Sequence, residues 1–213
     1  MQQKTAAVVV IGNEILTGKS EDKNASYLIG ELYKLGVALR RVVVIADDVT
    51  IEGVARAFDR PVVRIPELEA MLRSYFGEGV NEARLRMADA PDGSQLIKAA
   101  GLRWPVLATE NVYVLPGVPE LFRSKFEAIR ERFRGDPYFV GAVYTREDEF
   151  DLASRLDRVA ANHPDVDIGS YPTFTREDYR VKVTIESKVE AAVDRARSEL
   201  LALLDPAAIF GSE

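Results

Sequence analysis

The feature that most constrains the fold is the apolar run at residues 6–11, AAVVVI, which leads directly into the polar loop GNEILTG. A continuous β-branched run of this kind is typical of a strand buried on both faces of a parallel sheet. The glycines and the acid of the loop follow the carboxyl end of this strand, where open α/β sheets bind their ligands. The opening of the chain therefore predicts an α/β fold with a ligand site next to the first strand.

The next residues continue this pattern. Residues 24–35 have apolar side chains at helical spacing, Gly36 can end that helix, and residues 41–46 form a second apolar run. A strand, a helix and a second buried-type strand predict a right-handed parallel crossover. We predict further helices at 49–58, 66–76, 81–88 and 120–134, and a strand at 112–115.

A domain boundary is predicted at residues 135–137, which read Gly-Asp-Pro. Beyond it we predict strands at 139–145, 165–171 and 179–187, and helices at 149–161 and 189–204. Residues 180–185 alternate polar and apolar side chains, which indicates a strand with one solvated face. The sequence thus predicts a first domain at 1–135 and a small α+β domain at 138–213, with helices on one side of an antiparallel sheet.

Composition excludes several classes of function. The chain has 213 residues, a formal net charge of −6, one histidine and no cysteine, so it has no disulfide and no thiolate metal site. The single histidine argues against a His-rich zinc site and a Ser-His-Asp triad. No basic run indicates nucleic-acid binding, and no apolar run approaches the roughly 20 residues that cross a bilayer. The N-terminal residues do not resemble a secretory signal, so we expect a cytoplasmic protein.

The first loop contains the main candidate site residues. Gly12, Asn13 and Gly18 are suited to shaping a phosphate pocket, because glycine lets backbone N–H groups approach an anion. Glu14 can be a solvated acid or a helix-capping partner, but its place at the carboxyl end of the strand favours a functional role, as a metal ligand. Asp22 is a natural N-cap for the following helix.

Six further residues have both a structural and a functional interpretation. Asn24 can satisfy the backbone of its own loop or contact a ligand. Asp47 and Asp48 can cap the next helix, or one of them can join Glu14 around a divalent cation, which prefers oxygen ligands. Asn81 can face a phosphate or lie on a surface helix. Pro116 and Gly117 form either a rigid turn or an anion site at a helix N-terminus.

Four stretches in order resemble one family. They are GNEILTG at 12–18 with Asp22 and Asn24, then DDVTIEGVARAF at 47–58, GVNEARLRMA at 79–88 and VYVLPGVPELF at 112–122. Together they resemble the molybdopterin-binding fold, and within it the CinA (competence/damage-inducible protein A) group. The resemblance covers about residues 5–135, and the deamidase domain of longer members is not among the 213 residues.

The resemblance implies a three-layer α/β sandwich with a mostly parallel sheet, plus the small α+β domain. It also implies a hydrolase that uses Mg, Mn or Co to cleave a nucleotide pyrophosphate such as ADP-ribose or FAD, with Glu14 and Asp48 as the catalytic, metal-side carboxylates. Two alternatives stay open: a molybdopterin-binding module without hydrolytic activity, and a structural protein with a degenerate site. By analogy with the family, we expect a homodimer.

Two stretches depart from the family pattern. Ala46 runs directly into Asp47, where such proteins carry a second glycine-rich loop. Losing an interior strand would leave unpaired edges, so we predict that a strand-helix unit of about 30 residues belongs between these two residues. Their Cα atoms would then lie much further apart than the about 3.8 Å of bonded neighbours. The second departure is GLRWP at 101–105, where small residues are usual, and it bears on the shape of the pocket.

Overall fold

The computed structural model describes residues 3–46 and 49–213. The chain divides into two compact units, residues 1–134 and 135–213. Among these described residues, two hydrophobic clusters lie in the N-terminal unit and one lies in the C-terminal unit. Within the described residues, no helix combines the length and the apolar character needed to cross a membrane.

The N-terminal unit mixes short strands and helices. Its strands are β1 (Thr5–Ile11), β2 (Ala38–Ile45), β3 (Val62–Arg64), β4 (Asp89–Pro91), β5 (Gln95–Ile97), β6 (Val106–Thr109) and β7 (Val112–Val114). Its α-helices are α1 (Asn13–Leu16), α2 (Lys23–Lys34), α3 (Thr50–Ala57), α4 (Pro66–Phe76), α5 (Glu82–Leu85) and α6 (Pro119–Ile129). Short 3-10 helices follow α4, α5 and α6.

The predicted parallel pairing of the first two strands is confirmed. Strands β1 and β2 pair in parallel, and Ile11 lies opposite Ile45 at their carboxyl ends. Helices α2 and α6 contribute Leu28, Leu32 and Phe126 to a core that also contacts Val8 of β1. The other strand pairs of this unit, β3 with β4 and β6 with both β5 and β7, are antiparallel. The fold is therefore of the predicted α/β class, with its parallel pairing in β1 and β2.

One expectation about this strand pair is wrong. The first strand was expected to be buried on both faces, yet Val9 is 58% exposed and its cross-strand partner Val43 is 37% exposed. The helices α2 and α6 cover the face that carries Val8, and among the described residues the opposite face has no comparable cover. The apolar composition correctly predicted a strand, but the solvent exposure of its side chains depends on how many layers cover the sheet.

The helix predicted at 66–76 forms with those bounds, and the other predicted helices of this unit form with shifted ends. The helix expected at 120–134 is α6 followed by a 3-10 turn, and the one expected at 81–88 is α5 followed by another. Strands β3 to β6 were not predicted. They have only three or four residues each, which is too few for a periodic pattern to stand out from the loops around them.

The C-terminal unit is a four-stranded antiparallel sheet with two helices. Its elements are β8 (Phe139–Thr145), α7 (Glu149–Asn162), β9 (Asp167–Pro172), β10 (Val181–Ser187), α8 (Glu190–Leu203) and β11 (Ile209–Ser212). The strand order is β11-β8-β10-β9. Leu152 and Val159 of α7 and Leu200 of α8 pack with Val183 of β10 in the core. The predicted strands and helices are confirmed, and β11 was not predicted.

Candidate functional site

The candidate site begins where β1 and β2 end side by side. The N–H of Gly12 donates to the carbonyl of Ile45 at 3.0 Å, which extends the parallel pair by one residue. The chain then enters the short helix α1, and Thr17 Oγ1 donates back to the Asn13 carbonyl at 2.9 Å. Because both strands run in the same direction, the residues that follow them leave the sheet at one edge.

Glu14 is exposed at this edge, three residues beyond the end of β1. Its carboxylate lies so close to Gly12 that a Cβ at position 12 would overlap it. Glycine therefore gives the Glu14 side chain room to lie against the backbone. Gly18 has a φ of +70°, a left-handed conformation that glycine adopts without strain, and it turns the chain out of α1.

Asp22 has the capping role that its position predicted. Its Oδ1 accepts hydrogen bonds from the backbone N–H groups of Asn24, at 2.9 Å, and Ala25, at 3.0 Å. These bonds satisfy two of the free donors at the start of α2. The side chain thus shapes the loop and fixes where α2 begins.

Asn24 and Gly117 are brought together by the fold. Asn24 Nδ2 donates to the Gly117 carbonyl at 2.7 Å, although the two residues are 93 positions apart in the sequence. The other amide atom, Oδ1, is buried and accepts no hydrogen bond from the described residues. A buried acceptor without a donor is costly, so this oxygen is suited to receiving a donor from a ligand.

The segment after β7 leads into the N-terminus of α6. Pro119 occupies the first turn, and the N-cap residue, Val118, has no side chain that could satisfy the first N–H groups. Gly117 is exposed and Pro116 is half-buried. An uncapped helix N-terminus beside an exposed glycine is compatible with the predicted anion site.

A hydrogen bond from α2 to α6, and an ion pair from α2 to the 3-10 helix that follows α6, support the packing that places Asn24 beside Gly117. The Tyr27 hydroxyl donates to Glu127 Oε1 at 2.6 Å, and Arg130 Nη2 lies 2.8 Å from Glu31 Oε2. Burial, together with the hydrogen bond that the hydroxyl donates to the Glu127 carboxylate, raises the pKa of Tyr27 to about 12. Tyr27 therefore stays a neutral donor over the physiological range.

Asn81 has a structural contact of its own. Its Oδ1 accepts a hydrogen bond from the N–H of Arg84 at 3.0 Å, which makes it the N-cap of α5. Arg84 in turn donates to the carbonyl of Gly79. The contacts of this cap are local to α5, so a phosphate-facing role for Asn81 stays a prediction.

Asp47 and Asp48 lie outside the described residues, and so does the junction predicted between Ala46 and Asp47. The proposed metal set of Glu14, Asp47 and Asp48 is therefore a prediction. Among residues 3–46 and 49–213, no three His, Asp or Glu side chains converge in a way that could hold a metal ion.

Two family models match the chain, one in each unit. The probable molybdopterin binding domain matches residues 7–49, and the FAD synthase middle domain matches residues 137–213. The crystal structure of CinA from Thermoplasma acidophilum, a protein described as having unknown function, resembles this fold with a TM-score of 0.56 at 25% identity. That match covers 62% of this chain and 98% of the other.

Relatives extend this similarity to both units. A protein of Archaeoglobus fulgidus is 30% identical over 195 residues, which cover 78% of this chain and 84% of that protein. The chain belongs to the CinA-like molybdopterin-binding family. A probable FAD synthase of Caenorhabditis elegans is 29% identical over 261 residues, which cover 95% of this CinA-like chain and 50% of the relative.

The alignment with the FAD synthase is longer than the CinA-like chain itself. The chain spans about half of that relative, and 261 aligned positions exceed its 213 residues, so the relative contains residues that have no counterpart here.

Sequence reasoning missed how two distant parts of the site are joined. It named Asn24 and Gly117 separately, but no local pattern indicated that one donates to the other. It also missed Lys125, whose Nζ donates to the Pro105 carbonyl at 2.7 Å and whose pKa is lowered by burial. A lysine on an amphipathic helix is ordinarily interpreted as a solvated residue, so the sequence held no signal for this contact.

Proposed function

We propose that this CinA-like protein acts in FAD-related nucleotide chemistry, as a divalent-metal-dependent hydrolase of a nucleotide pyrophosphate such as ADP-ribose or FAD. Two similarities support the nucleotide class: the FAD synthase middle-domain match at 137–213 and the alignment with a probable FAD synthase over 95% of the chain.

The observation that carries the proposal is the parallel pairing of β1 and β2, with Ile11 opposite Ile45. Glu14 follows one strand end, and Asp47 and Asp48 follow the other in the sequence. Carboxylates that leave neighbouring parallel strands at one edge are suited to a shared cation.

The donor set fits a hard divalent cation. Glu14, Asp47 and Asp48 offer carboxylate oxygens, the ligands that Mg and Mn prefer. When bound, the cation would offset the pyrophosphate charge and polarise a phosphoryl oxygen. The carboxylates of this chain would orient the scissile group relative to the sheet edge.

The other side of the site would bind the rest of the substrate. The uncapped N–H groups of α6, next to exposed Gly117, would donate hydrogen bonds to a phosphate oxygen. Asn24 Oδ1 would accept a hydrogen bond from a substrate hydroxyl or ring N–H. Because Asn24 Nδ2 is held by Gly117, the amide orientation is set before the ligand arrives.

The runner-up function is a pterin-binding module without hydrolytic activity. It is favoured by the match of residues 7–49 to the probable molybdopterin binding domain. In that case Asn24 and the α6 N-terminus would bind the pterin phosphate, and no product would form from ADP-ribose or FAD.

The test is turnover of ADP-ribose and FAD by the wild type, Glu14→Gln and Asp48→Asn across titrations of Mg, Mn and Co. Each variant keeps its shape and loses a charge, so we expect turnover to fall by about 100-fold, or about 2.7 kcal/mol of barrier. Glu21→Gln, an exposed acid close by in the sequence, is the matched control and should retain full activity.

Unchanged rates in both variants would remove these carboxylates from the mechanism. Pterin binding without product would favour the binding module. Absence of both turnover and pterin binding in the wild type would favour a structural protein with a degenerate site.

A further inference from the structure

The N-terminal unit contains a groove of about 630 Å³ between α4 and the loop that joins β5 to β6. Helix α4 contributes Met71, Ser74 and Tyr75, and the loop contributes Arg103 and Trp104. This loop is the segment GLRWP that departs from the family pattern. The volume lies in the range of sites that bind small molecules, which combine apolar and aromatic walls with a few polar groups.

Two aromatic rings form a corner in this groove. The Tyr75 and Trp104 ring centroids lie 5.6 Å apart, and the ring planes meet at 81°. Tyr75 is 53% exposed, whereas Trp104 is half-buried and packs against the core cluster of Leu72, Leu85 and Ala88. A planar ring that enters this corner can lie flat on one aromatic wall and meet the other along its edge.

The free charge in the groove is positive. The Arg103 guanidinium carbon lies 5.1 Å from the centroid of the Tyr75 ring, which holds it by a cation–π contact. Within the described parts of the chain, Arg103 has no carboxylate partner, whereas the groove acid Glu67 is paired with Lys98. Arginine presents a planar set of N–H donors that matches phosphate.

The loop between β5 and β6 is also fixed by contacts with α6 and with the core. Lys125 of α6 donates to the Pro105 carbonyl at 2.7 Å, directly after Trp104, and the Trp104 ring rests on the core. The indole and the guanidinium are therefore presented by a loop that is fixed at this end.

We propose that this groove binds a planar heteroaromatic ring that carries a phosphate group, of the kind found in flavin mononucleotide or an adenine nucleotide. The ring packs on the indole of Trp104, and the phosphate accepts hydrogen bonds from Arg103, which Tyr75 keeps in place. The proposal does not depend on the hydrolase chemistry, because binding in the groove needs no metal.

Trp104 is the only tryptophan in the chain, so its fluorescence reports on this groove. The full chain is titrated in the presence of EDTA with flavin mononucleotide, AMP, riboflavin and inorganic phosphate, with free tryptophan as the correction for absorbed light. We expect saturable quenching by flavin mononucleotide or by AMP, and the ligand that saturates at lower concentration identifies the preferred ring. Riboflavin should bind more weakly than its phosphate ester.

Arg103→Gln keeps the reporter and removes the charge, and it should weaken binding of the phosphorylated ligand by about tenfold, since charge-assisted hydrogen bonds to phosphate are lost. Its effect on riboflavin should stay within about twofold, which is small on the affinity scale. Arg123→Gln is the matched control, because Arg123 also lies 5.1 Å from a tyrosine ring, that of Tyr27. It should leave both affinities unchanged.

Three results would overturn the proposal: no saturable change up to about 1 mM of either nucleotide, equal weakening by Arg103→Gln and Arg123→Gln, or binding of inorganic phosphate alone as tight as that of the nucleotides. If Arg103→Gln fails to fold, Arg103→Lys tests the same point, since it keeps the charge but loses the planar donor set. Failure of metal-dependent hydrolysis would leave this result untouched, because the titration contains no free metal.

Discussion

Two cross-strand valine pairs behave in opposite ways in the two units. Val143 and Val183 face each other in the C-terminal sheet, and both are 0% exposed. Val9 and Val43 face each other across β1 and β2, and they are 58% and 37% exposed. The four residues have the same side chain and lie in the same kind of secondary structure.

The difference lies in what covers each pair. Helices α7 and α8 share one core cluster with Val143 and Val183. Helices α2 and α6 share a core with Val8, which lies on the face opposite Val9 and Val43. Strand composition therefore predicts that a strand forms, but burial depends on a layer contributed by residues far away in the sequence. An uncovered apolar face is also what would remain without the strand-helix unit that we predict between Ala46 and Asp47.

The largest expected effect on stability comes from replacing one valine of each pair with alanine. Val183→Ala removes two methyl groups from a closed core, so it should lower the free energy of unfolding of its unit by about 2–3 kcal/mol. Val43→Ala removes the same atoms from an exposed face and should cost less than about 1 kcal/mol.

Hydrogen exchange of the β10 amides measures the stability lost by Val183→Ala. Denaturation followed by Trp104 fluorescence measures the stability lost by Val43→Ala. Equal losses would break the comparison, since they would mean that a covering layer, from a second copy or from another segment, buries Val43 in solution.

A smaller effect should separate two aspartates that share the N-cap position. Asp22 Oδ1 accepts two backbone N–H bonds at the start of α2, whereas Asp148 precedes α7 but pairs with Arg180 at 2.9 Å and makes no capping bond. Asp22→Ala should cost about 1 kcal/mol and Asp22→Asn only a few tenths, because Asn also caps well.

Asp148→Ala removes an exposed ion pair, so it should cost between about 0 and 1 kcal/mol. Denaturant titration of the three variants checks the order. A loss for Asp148→Ala that matches that of Asp22→Ala would show that capping does not explain the difference between the two helices.

The smallest expected effect is the pH-dependent stabilisation that the Glu31 carboxylate contributes. The hydrogen bond from Lys34, with help from Arg130, lowers the pKa of Glu31 below its ordinary value of 4.5. A carboxyl whose folded-state pKa is lowered stabilises the fold above the unfolded-state value, and this stabilisation is lost as the pH falls through the folded-state pKa.

The stability difference between the wild type and Glu31→Gln should therefore be fully present at neutral pH and shrink below pH 4.5. Unfolding curves at a series of pH values measure it, with Glu177→Gln, an exposed acid of the C-terminal unit, as the control. A difference that stays constant down to acidic pH would contradict the assigned cause.

Several local features were determined by the sequence alone. The strand at Thr5–Ile11, the helix α2 with Asp22 as its cap, and the C-terminal order of strands and helices could all be predicted from short windows of residues. Each depends on interactions between near neighbours: a side-chain oxygen meets an N–H two or three residues away, and alternation or helical spacing sets which side chains share a face.

Other features were decided only by the tertiary structure. Asn24 meets Gly117, the loop at 101–105 brings Trp104 to Tyr75, and the strand pair of Val9 is covered on one face only. These contacts join segments about 30 to 90 positions apart, and many different foldings of the same local elements would satisfy every short-range rule. Which pairs meet is set by the free energy of burying the shared core, a quantity that no single segment contains.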